Sequence, residues 1–104
     1  MPEPPLKIFE KIDPGLLKLI RTTNDFALAE GTLSRKVKFL IAMVLDASEG
    51  VVEGVKALAE QAMRVGATKE EIVETIRVVQ YISGVGSVYT AARAFKELFV
   101  RDNI

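Results

Sequence analysis

Glycines at Gly31, Gly50, Gly66, Gly84 and Gly86 cut the chain into segments of helical length. Within those segments apolar residues recur three and four positions apart, the spacing of one helix face. From Val51 onward, Val51, Val55, Leu58 and Ala62 share such a face, joined by Val52, Ala59 and Met63. Glu53, Lys56, Glu60 and Arg64 occupy the opposite one, with Glu60 and Arg64 at ion-pair spacing. Ile72, Ile76, Val79 and Ile82 are expected to line the inner side of the next helix, and Val88, Ala92, Phe95 and Phe99 that of the last. No alternating pattern bounded by turn residues suggests a strand, and there is no internal repeat.

Helix starts are marked as clearly as helix ends. Asp13-Pro14 places a capping carboxylate before a proline at the first helical position, opening a helix that runs to about Glu30. Thr32 or Ser34 can cap the following helix. Thr68-Lys69-Glu70-Glu71 has the form of a capping box, in which threonine and glutamate satisfy each other's free amides. Leu6, Ile8, Phe9 and Ile12 are expected to make one short turn of helix, after a flexible lead of residues 1–5. The expected fold is all-α, a compact bundle of five to six helices in a single domain spanning residues 1–104.

Several functions are excluded on composition. Fourteen basic residues balance fourteen acidic ones, so no overall field gathers nucleic acid or an anionic membrane. The longest wholly apolar run, Phe39 to Leu45, falls far short of the roughly 18 residues of a membrane span and reads as a helix buried in protein. The start, Met1-Pro2-Glu3-Pro4-Pro5, is acidic and proline-rich, unlike a signal peptide, and a cytoplasmic location is expected. Cysteine and histidine are both absent. That removes thiolate nucleophiles, imidazole bases and the usual zinc ligands together, and neither a metal nor a cofactor is expected. Hydrophobic residues make up 49% of so short a chain, more than it can bury alone, which points to self-association. The scarcity of asparagine and glutamine fits a heat-tolerant protein.

Ordered landmarks give the chain a family likeness. Leu6 to Pro14 (LKIFEKIDP), Glu30 to Ala42 (EGTLSRKVKFLIA), Gly66 to Glu74 (GATKEEIVE) and the Gly84/Gly86 break resemble the carboxymuconolactone decarboxylase and alkyl hydroperoxidase D-like family, over roughly Leu6 to Leu98. The resemblance implies a helical subunit that assembles as a trimer or hexamer. It also implies peroxide detoxification, a peroxiredoxin-like oxygen defence, or lactone decarboxylation. Peroxidase-type members use a Cys-x-x-Cys pair with a histidine four residues on, and a glutamate in the preceding helix. Counted back from Gly66, these slots fall on Val51, Gly54, Leu58 and Phe39. None of those side chains has acid, base or redox chemistry. The resemblance therefore implies a member without a redox centre, a ligand-binding or partner protein for a small carboxylic acid or lactone. A cysteine pair restored at positions 51 and 54 would share one helix face and is expected to fit.

The remaining ionisable residues offer an alternative, a cofactor-independent decarboxylase or isomerase with a carboxylate in a subunit-interface pocket. Glu53, between the vacant cysteine slots, and Glu49, just before them, are its candidates. Their plainer readings are a solvated stripe and a charge near a helix terminus. Tyr81 and Tyr89 flank the double glycine and could present hydroxyls to a ligand, although tyrosine on a helix face is more often packing. Arg35 and Lys36 at a helix start could hold an anion, but exposed basic residues there are common.

Overall fold

The computed structural model describes residues 5–99. A 3-10 helix, Pro5–Ile8, leads into α1 (Phe9–Ile12), α2 (Pro14–Leu28), α3 (Arg35–Glu49), α4 (Val52–Arg64), α5 (Lys69–Ser83) and α6 (Val85–Phe99). No strand occurs among the described residues, and no helix is long and apolar enough to cross a membrane. Of the lead at residues 1–5, residues 1–4 lie outside the described part, and Pro5 already opens the 3-10 helix.

The caps form as the sequence dictates. The Asp13 carboxylate accepts from the Leu16 amide, and the Ser34 hydroxyl accepts from the Val37 amide. At α5 the box closes in both directions, Thr68 N–H to Glu71 Oε1 at 2.8 Å and Glu71 N–H to Thr68 Oγ1 at 3.0 Å. Helix α2 ends slightly early, with Ala29 at its C-cap. Gly50 closes α3 at φ +80°, ψ 20°, a left-handed conformation that costs any residue with a Cβ. Val51 is the N-cap of α4 rather than a helical residue, and it is exposed.

The core lies within α3–α6. Phe39, Met43 and Ala47 meet Val55, Ala59 and Ala62 of α4, Ile72, Ile76 and Val79 of α5, and Ala91, Ala94 and Phe99 of α6. Two expectations about inward faces hold only in part, since Phe99 of α6 and Ile72, Ile76 and Val79 of α5 are buried and Val88 and Phe95 pack against the core, but other residues differ. Helix α6 turns Ser87, Thr90, Ala91 and Ala94 inward, while Ala92 is exposed and Val88 and Phe95 are half-buried. Small residues allow α6 to pack closely on α4, so the inner side is set by what fits rather than by the largest apolar groups. Ile82 stands 77% exposed at the end of α5. The run Phe39 to Leu45 is also less buried than expected, since Ile41 and Leu45 face outward.

Helices α3 and α5 run parallel. Lys36 Nζ donates to Glu71 Oε2 at 3.0 Å near their starts, and the Ser48 and Ser83 hydroxyls are 2.8 Å apart near their ends. The segment before α3 behaves differently. Helices α1 and α2 pack on each other, but α2 touches the bundle mainly at α3 and buries only Leu17. The radius of gyration is 14.7 Å, against about 13 Å for a compact chain of this length.

Candidate functional site

Three of the four vacated family positions lie along the first turns of α4, just after α3 turns into it. The Val51 amide donates to Asp46 O at 2.9 Å and Gly50 N–H to Ala47 O at 3.2 Å, folding the first turn of α4 back against the end of α3. Val51 lies at the helix entrance, Gly54 in the first turn, and half-buried Leu58 one turn further, packed on the core. Phe39, at the glutamate slot, is a fully buried core residue.

Asp46 fills the space at Gly54. A Cβ on Gly54 would overlap the Asp46 carboxylate, with Asp46 Cγ only 2.8 Å away and Val51 Cγ1 at 3.1 Å. The restored cysteine pair would therefore displace Asp46, contrary to the expectation that it fits. Val51 offers no side-chain cap to α4, and a half-buried carboxylate beside the first turn supplies the negative charge that a helix start favours. Thr90 Oγ1 lies 4.0 Å from where a Gly50 Cβ would stand, bringing α6 to the same corner. Its hydroxyl, like that of Ser87, donates back to its own helix, to Gly86 O at 3.2 Å and Gly84 O at 2.7 Å respectively. Asp46 was missed from the sequence. The signal was Gly54 itself, since a glycine inside a helical pattern usually marks a close approach.

The other candidates lie apart from this corner's interior. Glu49 and Glu53 are exposed at the α3–α4 turn, and Tyr81 and Tyr89 are exposed on α5 and α6. No hydrogen bond or ion pair joins these four residues among the described ones. In the charged stripe of α4, the pair that forms is Lys56 with Glu97 of α6 at 2.9 Å, rather than Glu60 with Arg64. The hydrogen bond to Glu97 raises the Lys56 pKa, aided by that carboxylate's charge. Glu71 is held below its ordinary value by the Thr68 amide and then by Lys36. Lys36 is thus engaged, and Arg35 lies over the Phe39 ring, 5.3 Å from its centroid. Among the described residues no three carboxylates converge as metal ligands would.

Open clefts line the N-terminal segment instead. One of about 470 Å³ lies between Leu6, Glu10, Leu17 and Ile20, and another of about 340 Å³ lies between the end of α2 and Arg35, Phe39 and Gln61. Neither reaches Val51, Gly54 or Leu58. The corner at Gly54 seats the Asp46 carboxylate against a helix start, and no thiol or imidazole stands there.

Comparison with known proteins places this geometry. An uncharacterized protein of Methanocaldococcus jannaschii is 31% identical over 94 residues, covering 89% of this chain and 90% of that protein. The crystal structure of an apo carboxymuconolactone decarboxylase family protein from Legionella pneumophila superposes with a TM-score of 0.82 at 30% identity. That match covers 88% of this chain and 81% of the other. The sequence model of the carboxymuconolactone decarboxylase family matches residues 14–97. With helix order, glycine punctuation and family model in agreement, the chain belongs to the carboxymuconolactone decarboxylase family.

Proposed function

We propose that this family member works without redox chemistry, as a cytoplasmic homo-oligomer, trimer or hexamer, that binds a small lactone or carboxylic acid. The observation that carries the reading is the occupancy of the α4 entrance by Val51, Gly54 and Leu58, with Asp46 seated over Gly54. Peroxide reduction by a dithiol requires one sulfur to attack and another to resolve, and no other side chain substitutes. The charge of the corner selects between ligands. Asp46, Glu49 and Glu53 surround the α3–α4 turn, so an ionised carboxylate is repelled and a neutral lactone is favoured.

A carboxylate-based decarboxylase or isomerase is the second reading, and the seat of Asp46 is what favours it. Glu53 and Glu49 are exposed on the single chain and would need a second copy to desolvate them. Asp46 is already half-buried against the first turn of α4 in the single chain.

The test is a thermal-shift series with neutral lactones and the corresponding free acids, beside a coupled peroxide-reduction assay. A lactone that binds only the native state raises the melting temperature with concentration. The acids should shift it less, and peroxide consumption should equal the blank. Dithiol-dependent turnover above the blank in pure protein overturns the reading.

A further inference from the structure

The cleft at the end of α2 gathers polar side chains that the fold leaves unused. Its floor is apolar, formed by buried Phe39 of α3 and half-buried Leu28 of α2. Around that floor stand Asn24 and Asp25 of α2, Arg35 of α3 and Gln61 of α4. Three helices thus build one concavity of about 340 Å³, inside the range of about 300–1,000 Å³ typical of small-molecule sites. Among the described residues, none of these four side chains makes a hydrogen bond or an ion pair. The neighbouring cations are committed elsewhere. Lys36 pairs with Glu71, and Lys38 Nζ donates to Ala29 O at 2.7 Å, at the C-cap of α2.

Arg35 is held in place without being neutralised. Its guanidinium carbon lies 5.3 Å from the centroid of the Phe39 ring, a contact that orients a planar cation and leaves its N–H donors open. The Glu30 carboxylate does not close that fork, because it accepts from the Arg35 backbone amide at 3.0 Å. A fork fixed in this way matches a carboxylate with two parallel hydrogen bonds. Asp25 lines the same cleft, and no ion pair joins it to Arg35. The cleft therefore offers a cation and an anion, apart from each other, beside one apolar floor. A simple anion is opposed by Asp25 and a simple cation by Arg35, whereas a molecule with both charges satisfies both. We infer that this cleft binds a small α-amino acid with an apolar side chain, its carboxylate on Arg35, its ammonium on Asp25 and its side chain against Phe39 and Leu28. Asn24 and Gln61 each carry a donor and an acceptor and can complete the hydrogen bonds of either end. The cleft does not reach Val51, Gly54 or Leu58, so its occupancy is independent of what the α4 entrance binds.

L-leucine, isocaproate and isopentylamine carry, on one branched skeleton, both charges, the carboxylate alone and the ammonium alone. Each is titrated at millimolar concentration against the wild-type protein, with binding read by saturation-transfer NMR. Leucine should bind, and the two singly charged probes should bind at least about tenfold more weakly, since each lacks one charge-assisted contact. Arg35→Gln and Asp25→Asn should each weaken leucine by about tenfold, with helicity unchanged by circular dichroism. Asp25→Asn should also strengthen isocaproate, because it removes the opposing charge and keeps Arg35, a reversal that a purely structural role for Asp25 would not produce. If a variant loses helicity, the ranking of the three probes on wild type decides. Absence of leucine binding, isocaproate binding as tightly as leucine to wild type, or leucine affinity that survives Arg35→Gln overturns the assignment.

Discussion

At Gly54 the first carbon of any side chain would collide with Asp46, and a local preference conflicts there with a tertiary one. Alanine in a helix is favoured over glycine by about 1 kcal/mol. Overpacking against a seated side chain typically costs about 1–3 kcal/mol. Gly54→Ala should therefore destabilise by about 1 kcal/mol in the wild-type background and stabilise by a similar amount when combined with Asp46→Ala. Urea unfolding of the four proteins of the cycle measures this coupling directly. A stabilising Gly54→Ala in the presence of Asp46 would show that the carboxylate does not occupy this space. The sequence marked Gly54 as a slot in a catalytic pattern, and its glycine as an anomaly in a helix. It could not mark Asp46, because the two residues meet through the α3–α4 turn, and no periodicity within one helix reports a contact between two. Glu53 was legible for the same reason that it is exposed: it belongs to a regular charged stripe.

Helix α5 is the element whose start is most completely specified by its own residues, and Lys36 adds a tie to α3. Thr68→Ala should cost about 1 kcal/mol, since it removes the hydroxyl from the Glu71 amide. The pH dependence follows from Glu71, whose pKa is lowered in the folded state from an ordinary 4.5. Its contribution is fully present above that value and is lost as pH falls below it through the folded pKa. Glu71→Gln should flatten the acid side of the stability curve, measured by denaturant unfolding between pH ~7 and pH ~3. An unchanged acid limb would mean that the box adds nothing to stability. Caps at Asp13, Ser34 and Thr68 and the end at Gly50 were legible because each is a short-range bond between named groups. The inner side of α6 was legible only in part, through Phe99 and the half-buried Val88 and Phe95. Its direction is decided by close approach of α4 and α6 through Ser87, Thr90, Ala91 and Ala94, and small residues leave no hydrophobic signature.

For the whole molecule, the all-helical bundle was legible from periodicity, but the standing of α2 was not. An apolar stripe in a sequence states that something covers it, and not whether the cover is the same chain or another. Leu17 and Phe26 look alike as letters, yet one is buried and the other is the most exposed large apolar side chain among the described residues. This arrangement has a consequence in time as well as in space. A helix held by one buried leucine, with Ile20 and Leu28 half-buried, opens for about 3 kcal/mol in an isolated chain. Amides of α2 should then exchange with solvent deuterium only about a hundredfold slower than an unstructured peptide. Those of α3 and α4 should persist far longer, because their exchange requires the core to open. Exchange followed by mass spectrometry would read the arm and the bundle as two clocks, one fast and one slow, and equal rates would show that α2 opens only with the core.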